Sequence, residues 1–430
     1  MTPAQANQEP RSRFGSIGAV HSRFRLQTTA SDFRTLLAFC LFGTQEQGYR
    51  ERVEDRLRAE TQSARAVFTN QGRVGIYAAI KAAVSGTRTG IVMSPYTLYE
   101  VVNMVLYAGG RPVFVDTLPD TPSVGCDDIE RLIDPQTAAV MLTHYHLPVP
   151  ETPQIAELAA AKGVPLIEDA AVSFGARLDG RPIGTFGDAG AFSFGLFKVI
   201  NAFYGGGLIG GETEFFERID TTLADFAPEH RKRLALRAAY GLALDLMTHP
   251  LPYSLVTLPL LRRAQASEDS FLARFTRADA RPEIAPAYPD ALKRQPTEVQ
   301  AELVWKGLER AEAERAIREQ RAGRYLEGLS EIDEIGLPEM PANAVGSWTE
   351  FPIVTRDRDA LYRRLLDRGQ DVRYYYYRNC ADLRIYQRDY RDCPNARKLM
   401  FETLMLPLYP RYPDEQIERN IEVIREHFGK

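Results

Sequence analysis

Three short stretches of the sequence combine chemically capable residues with apolar neighbours that would deliver them to one place. In VPLIEDAAVSFGA (164–176) an apolar run ends on two adjacent carboxylates, Glu168 and Asp169. Such a pair at a strand end suits a metal site, a base or the counter-charge of a cationic ring; capping the next helix is the plainer role. In GDAGAFSFGLFKVINAFYGGGLIGG (187–211) a second run ends at Ser193, and Lys198 follows five residues later among apolar neighbours. Burial disfavours an ammonium ion, so a lysine in that setting is a candidate nucleophile for an aldehyde, forming a Schiff base. A lysine whose stem only covers the sheet gives the same local pattern. In FTNQGRVGIYAAIKAAV (68–84) a turn opens directly into an amphipathic helix. Backbone N–H groups of Gly72, Arg73 and Val74 there form a candidate phosphate cradle, with the Arg73 side chain adding charge.

The elements that would position these groups alternate between residues 50 and 240. Apolar runs GIVMSP (90–95), PVFVD (112–116), AAVMLTH (138–144), VPLIED (164–169) and AGAFSF (189–194) are separated by helix-like VGIYAAIKAAV (74–84), YEVVNMVLYAG (99–109), DIERLI (128–133) and IAELAAAKG (155–163). The pattern predicts parallel βαβ units with helices on both sheet faces. Ligands gather at the carboxyl ends of such strands, which is where Asp169, Ser193, His144 and His146 fall. The block 213–290 holds a helix pair and the Pro-punctuated HPLPYSLVTLPLL (249–261), and is expected to pack against the protein's own body. From 296 a Glu/Arg-rich helix follows, with pairs spaced for a solvated face. The last 85 residues read as an α+β unit: strand WTEFPIVT, helix RDALYRRLLDRG, aromatic strand DVRYYYY and helix DEQIERNIEVIREHF. Arg373 and Tyr377 on that aromatic strand are candidate substrate contacts, with surface and core roles as the plainer readings. Residues 1–30 read as a mobile tail, 31–295 as the large domain and 296–430 as inter-domain helix plus small domain.

Composition narrows the function. The 430 residues carry 53 Lys+Arg against 57 Asp+Glu, a net charge of −4 that gives no footprint for nucleic acid. Cys40, Cys126, Cys380 and Cys393 stand far apart without CxxC spacing, so neither zinc nor a disulfide framework is expected, and no metal is assigned. The N-terminus lacks the apolar run of a secretion signal, and no stretch of about 18 uncharged apolar residues exists to span a bilayer. A cytoplasmic α/β enzyme is the expected class, with membrane contact unfavoured.

Taken in order, the phosphate-loop helix, SPYTLYEVVNMVLYAGGRPVFVD, THYH, IEDAAVSFGA, FSFGLFK and the glycine cluster resemble the DegT/DnrJ/StrS family of sugar aminotransferases. VQAELVWKGLERAEAERAIREQRAGRYLEGL and LMLPLYPRYPDEQIERNIEVI resemble its inter-domain helix and small domain. The resemblance implies a fold-type I transferase dependent on pyridoxal 5'-phosphate, with a mostly parallel sheet flanked by helices, a small C-terminal α+β domain and a homodimer. It implies that Lys198 carries the cofactor as an internal aldimine and then acts as base. It also implies that Asp169 pairs with the ring nitrogen, that Gly72, Arg73, Val74 and Ser193 hold the phosphate, and that Leu98 or Tyr99 covers the ring. The implied reaction moves an amino group from L-glutamate or L-glutamine to a keto group of a nucleotide-linked sugar, by way of pyridoxamine phosphate. His144, Arg373 and Tyr377 are the candidate substrate contacts. Leu98, Val172 and Val199 depart from the family pattern, as does the enlarged 213–290 block. Two alternatives follow from these departures: a non-sugar or carrier-bound ketone as acceptor, or a non-catalytic binding protein on the same fold.

Overall fold

The computed structural model describes residues 20–26, 28–43, 47–260, 282–374 and 377–430. Its centre is a seven-stranded sheet of β1 (Arg65–Thr69), β2 (Gly90–Met93), β3 (Arg111–Phe114), β4 (Thr137–Thr143), β5 (Leu166–Asp169), β6 (Ala189–Ser193) and β7 (Gly206–Gly210). The spatial order is β1-β7-β6-β5-β4-β2-β3, and only β7 runs against its neighbours. Four helices frame the first half: α1 (Ala30–Phe42), α2 (Tyr49–Thr61), α3 (Gly72–Ala83) and α4 (Tyr99–Tyr107).

Strand alternation sorts the apolar side chains between two faces. Met93, Ala139, Met141, Ile167, Ala191 and Leu208 lie in one cluster with α3 and α4. Their neighbours one residue away turn to the opposite face. There Val92, Val140, Leu142 and Leu166 meet helix Thr152–Ala161. Phe68, Phe192 and Ile209 meet α2 and the long helix Glu298–Leu329 on that same face. Each large side chain so buried contributes about 1.5–3 kcal/mol. The long helix starts with a reciprocal cap: Gln300 N donates to Thr297 Oγ1 (3.3 Å) and Thr297 N to Gln300 Oε1 (3.0 Å). Gln300 Nε2 also donates to Asn70 Oδ1 (3.1 Å), tying this helix to the loop before α3.

The small domain pairs Phe351–Val354 with Thr403–Leu406 and packs helices Arg358–Asp367 and Asp414–Phe428 around Trp348, Phe351 and Leu404. The expected aromatic strand at 371–377 is reduced to one bridge, Arg373 to Met405, and a two-residue strand, Arg378–Asn379, that pairs with Tyr96–Thr97. Tyr375 and Tyr376 lie outside the described residues.

The stretch from Val20 does not behave as a tail. Arg23 donates from N and Nε to the Asp371 carboxylate (2.8 Å each), and Tyr253 donates to the same carboxylate from the 213–290 block. Tyr409 OH donates to Ser22 O (2.9 Å), and Phe24 packs on Phe197 with ring centroids 4.1 Å apart. One buried carboxylate thus joins three parts of the chain. It holds the Arg23 guanidinium firmly charged despite full burial.

In the 213–290 block, helices Glu214–Ala224 and Arg231–Thr248 form the expected pair, and 250–260 is helical too, with a wider turn at Tyr253–Thr257. The expected inward packing holds only in part. Arg237 turns inward to Glu229 (3.1 Å) and Asp245 toward Arg25 (3.7 Å), whereas Leu236, Tyr240, Leu242, Leu246 and Met247 face out. Gly241 makes the inward contact: a Cβ there would lie 1.9 Å from the buried Phe203 ring. Gly→Ala inside a helix ordinarily stabilises by about 1 kcal/mol. At this site overpacking of about 1–3 kcal/mol outweighs that gain, so Gly241→Ala is expected to lower the midpoint of thermal unfolding; a raised midpoint contradicts the packing.

Candidate active site

Asp169 and Ser193 reach the same spot because strand parity sends both to the α3 face, in step with Ile167 and Ala191. The register pairs Asp169 with Ala191, so Ser193 stands two residues further along the neighbouring strand. The start of α3 is pressed onto these strand ends. A Cβ on Gly72 would lie 2.7 Å from the Ser193 Cβ, and one on Gly206 would lie 2.5 Å from Gly72 N. Only glycine permits that approach. Gln71 at the N-cap is extended and its side chain makes no cap hydrogen bond. Val74 N–H already donates to Gln71 O (3.0 Å), which leaves the Gly72 and Arg73 amides as the open donors of the cradle.

Asp169 is buried, and its Oδ1 accepts from Ala171 N (3.1 Å). Burial pushes its carboxyl up from the ordinary range, and the Ala171 hydrogen bond and the nearby Lys198 only partly offset this. It forms no ion pair among the described residues. A cationic partner set against it would stabilise the charged form. Lys198 follows β6 on an irregular turn, half-buried and without a hydrogen bond or ion pair among the described residues. Phe197, just before it, adopts φ = 65°, a left-handed conformation that bulky side chains rarely take. Strain of this kind persists where surrounding structure over-determines it, as the Phe24 contact does here.

The other candidates divide. Glu168 points away from Asp169 and is fully used, accepting from Gly184 N (2.9 Å), Gly187 N (2.7 Å) and His144 Nε2 (3.0 Å). His144 is sealed beneath the sheet edge with Val149 N donating to its Nδ1 (3.3 Å), which removes it from the expected substrate contacts. Tyr377 is likewise a core residue, packed 5.4 Å from the Tyr96 ring and 5.0 Å from Tyr145. Arg373 does line the recess beside Lys198, but it is held by Glu350 (2.6 Å). Leu98 forms the N-cap of α4 and Tyr99 its first residue, both half-buried; the Tyr99 carbonyl accepts from Tyr386 OH (2.8 Å). No group of metal-binding side chains occurs among the described residues.

Sequence reasoning missed two groups in the recess. Arg318 on the long helix is 2% exposed, donates to Val199 O (3.4 Å) and Glu314 (3.2 Å), and keeps Nη1 buried without a partner. Its i,i+4 spacing to Glu314 matched a solvated pair, and only the docked long helix reveals its burial. The Arg23–Arg25 arm also lines the recess, and nothing periodic in its sequence signals this.

A lysine on the turn after one strand, a buried carboxylate ending the next and an open helix N-terminus thus meet at one edge of the sheet. The chain belongs to the DegT/DnrJ/EryC1/StrS aminotransferase family, whose model matches residues 42–233 and 291–425. The unmatched 234–290 coincides with most of the enlarged block. The chain is 29% identical over 364 residues (84% of each chain) to the UDP-N-acetyl-3-dehydro-alpha-D-glucosamine 3-aminotransferase of Acidithiobacillus ferrooxidans. It is 27% identical over 374 residues (84% and 85%) to a dTDP-3-amino-3,4,6-trideoxy-alpha-D-glucose transaminase of Micromonospora megalomicea. The fold is that of the aminotransferase TlmJ from Streptoalloteichus hindustanus, with TM-score 0.74, 22% identity and coverage of 95% and 99%.

His146 faces the same recess edge: Nδ1 lies 2.7 Å from Thr349 Oγ1, and Nε2 is buried without a partner. Burial, with Lys198 and Arg373 nearby, pushes its pKa down to about 3. The unfolded chain binds this proton near the ordinary 6.5, so the contribution is complete above that pH. It is lost as pH falls from 6.5 toward 3, by up to about 1.4 kcal/mol per unit. In urea unfolding, His146→Gln is expected to flatten the loss of stability between about pH 6.5 and 4.5. An unchanged slope contradicts this reading.

Proposed function

We propose that the chain binds pyridoxal 5'-phosphate through Lys198, Asp169, Ser193 and the start of α3. It then transfers an amino group from L-glutamate or L-glutamine to the keto carbon of a nucleotide-linked sugar. The observation that carries this is the meeting of a partnerless half-buried lysine, a buried carboxylate without a cation, and an uncapped helix N-terminus at one sheet edge. These groups fit the three poles of the cofactor: aldehyde, ring nitrogen and phosphate. When bound, the cofactor supplies an electron sink for the carbanion that amino-group transfer requires.

In this reading Lys198 Nζ takes the proton from the donor's α-carbon, and Asp169 keeps a proton on the ring nitrogen by placing a buried negative charge against it. The Gly72 and Arg73 amides, with Ser193 Oγ, bind the phosphate with the helix dipole behind them. Leu98 and Tyr99, at the start of α4, supply the ring's cover. Nucleotide-linked sugars as acceptors follow the named relatives, and the working unit is a homodimer in the cytoplasm.

With L-glutamate and a panel of nucleotide-linked keto-sugars, Lys198→Ala is expected to lose about 10³-fold or more in kcat, and Asp169→Asn about 10²-fold. Both variants should keep the wild-type unfolding midpoint within a few degrees. Full transamination by Lys198→Ala overturns the lysine's role. Turnover confined to free or carrier-bound ketones overturns the sugar acceptor.

A further inference from the structure

Eleven of the sixteen large apolar side chains that lie exposed among the described residues fall within two short stretches, 37–42 and 236–256. They belong to elements packed side by side. Helix Arg231–Thr248 runs along α1, with Arg231 donating to Cys40 O (2.6 Å), and the helical 250–260 folds back onto its end, Thr257 Oγ1 donating to Met247 O (3.0 Å). Exposure is high, at 73% for Phe42, 72% for Leu236 and 63% for Leu246. Soluble proteins rarely gather outward apolar residues in this way without something to cover them.

These elements are apolar on both sides: Leu36, Phe39 and Leu234 are buried in the core, while further leucines face out. Helix Arg231–Thr248 keeps Arg237, Asp245 and Thr248 on its inner side and presents Leu236, Tyr240, Leu246 and Met247 outward. Acid is absent from the outer side of these two elements among the described residues. Asp245 is the only acidic residue of 231–260 and is turned toward Arg25; Asp32, the only one in α1, is buried under the Thr29 cap. Cations remain at the margin: Arg34, Arg231 and Lys232 are exposed. An apolar face with a basic rim and no carboxylate complements an anionic bilayer surface, where acyl chains receive the leucines and headgroups the cations. A symmetric contact with a second copy would set these cations near one another with no acid on the face to pair them. Most of this face, residues 30–41 and 234–260, lies outside the residues that the family model matches.

We infer that α1 and residues 231–260 form a docking face for the surface of an anionic phospholipid bilayer, holding the enzyme peripherally and not spanning it. No helix of the described residues is long and apolar enough to cross a membrane. The face lies outside the Lys198 recess, so docking and turnover are separable.

The test is flotation of the full-length protein with vesicles of phosphatidylglycerol and phosphatidylcholine, and with phosphatidylcholine alone. The protein should rise with the anionic vesicles, rise far less with the neutral ones, and be partly released by high salt. Leu236→Glu combined with Leu246→Glu, both at exposed positions, should cut the bound fraction about tenfold while solution turnover and unfolding midpoint stay unchanged. Lys232→Glu should weaken binding and flatten its salt dependence. The inference is overturned if the wild type stays unbound with anionic vesicles, or if the double variant floats as the wild type does. It is also overturned if vesicles capture neither protein while sedimentation shows the variant halving the particle mass, which reassigns the face to a contact between copies.

Discussion

Two glycines with no room for a side chain set the geometry on which the site depends. Position 72 lies against the Ser193 Cβ, and position 206 lies against the Gly72 amide. Helix α3 can therefore begin directly over the ends of β6 and β7 instead of a side chain's width above them. That closeness brings unpaired amides, the Ser193 hydroxyl and the Asp169 carboxylate onto one small patch. Asp169 accepts only the Ala171 amide and faces no cation among the described residues. The remaining packing holds this arrangement in place. The Gln300–Asn70 bond anchors the turn before α3, and the strained Phe197 backbone fixes the approach of Lys198.

The electrostatic setting follows from what surrounds the lysine. Lys198, Arg25, Arg318 and Arg373 line one recess, opposed there by Glu350. His146 at its edge is kept neutral by burial and by that concentration of positive charge. Arg318 is buried with one nitrogen unsatisfied, a costly state for a guanidinium that adds to the positive field beside the amine. A carboxylate or phosphate entering here meets donors already in place.

Strand-end chemistry was legible in the sequence because parallel strands are continuous apolar runs, and the residues just after them stand out. Asp169, Ser193 and Lys198 were singled out in that way, and the fold brings them to one sheet edge. Glu168 and His144 share the same local signal and fail for one reason: a period of two sends them to the other face, where they satisfy each other. The aromatic run at 374–377 suggested an alternating strand, yet Tyr377 is claimed by the Tyr96 and Tyr145 rings. Helix Arg231–Thr248 was legible as a helix but not in its orientation, because apolar content alone does not say whether leucines face in or out. The inward pull on the polar side chains came from Glu229, just before the helix, and from Arg25, about two hundred residues away. The Arg23–Arg25 arm carries no periodic signal, since its order depends on Asp371 and Tyr409, hundreds of residues away.

That last dependence has a bearing on how the molecule comes into being. Arg23 and its partner Asp371 stand 348 positions apart, so their bond forms only after the intervening chain has been made. Closing so wide a loop is entropically expensive and waits until the intervening domains are in place. The wall of the recess formed by Phe24 against Phe197 is therefore laid late, after the sheet and its lysine are already set. The sheet and its lysine can thus take shape before the Arg23–Arg25 arm closes one side of the recess.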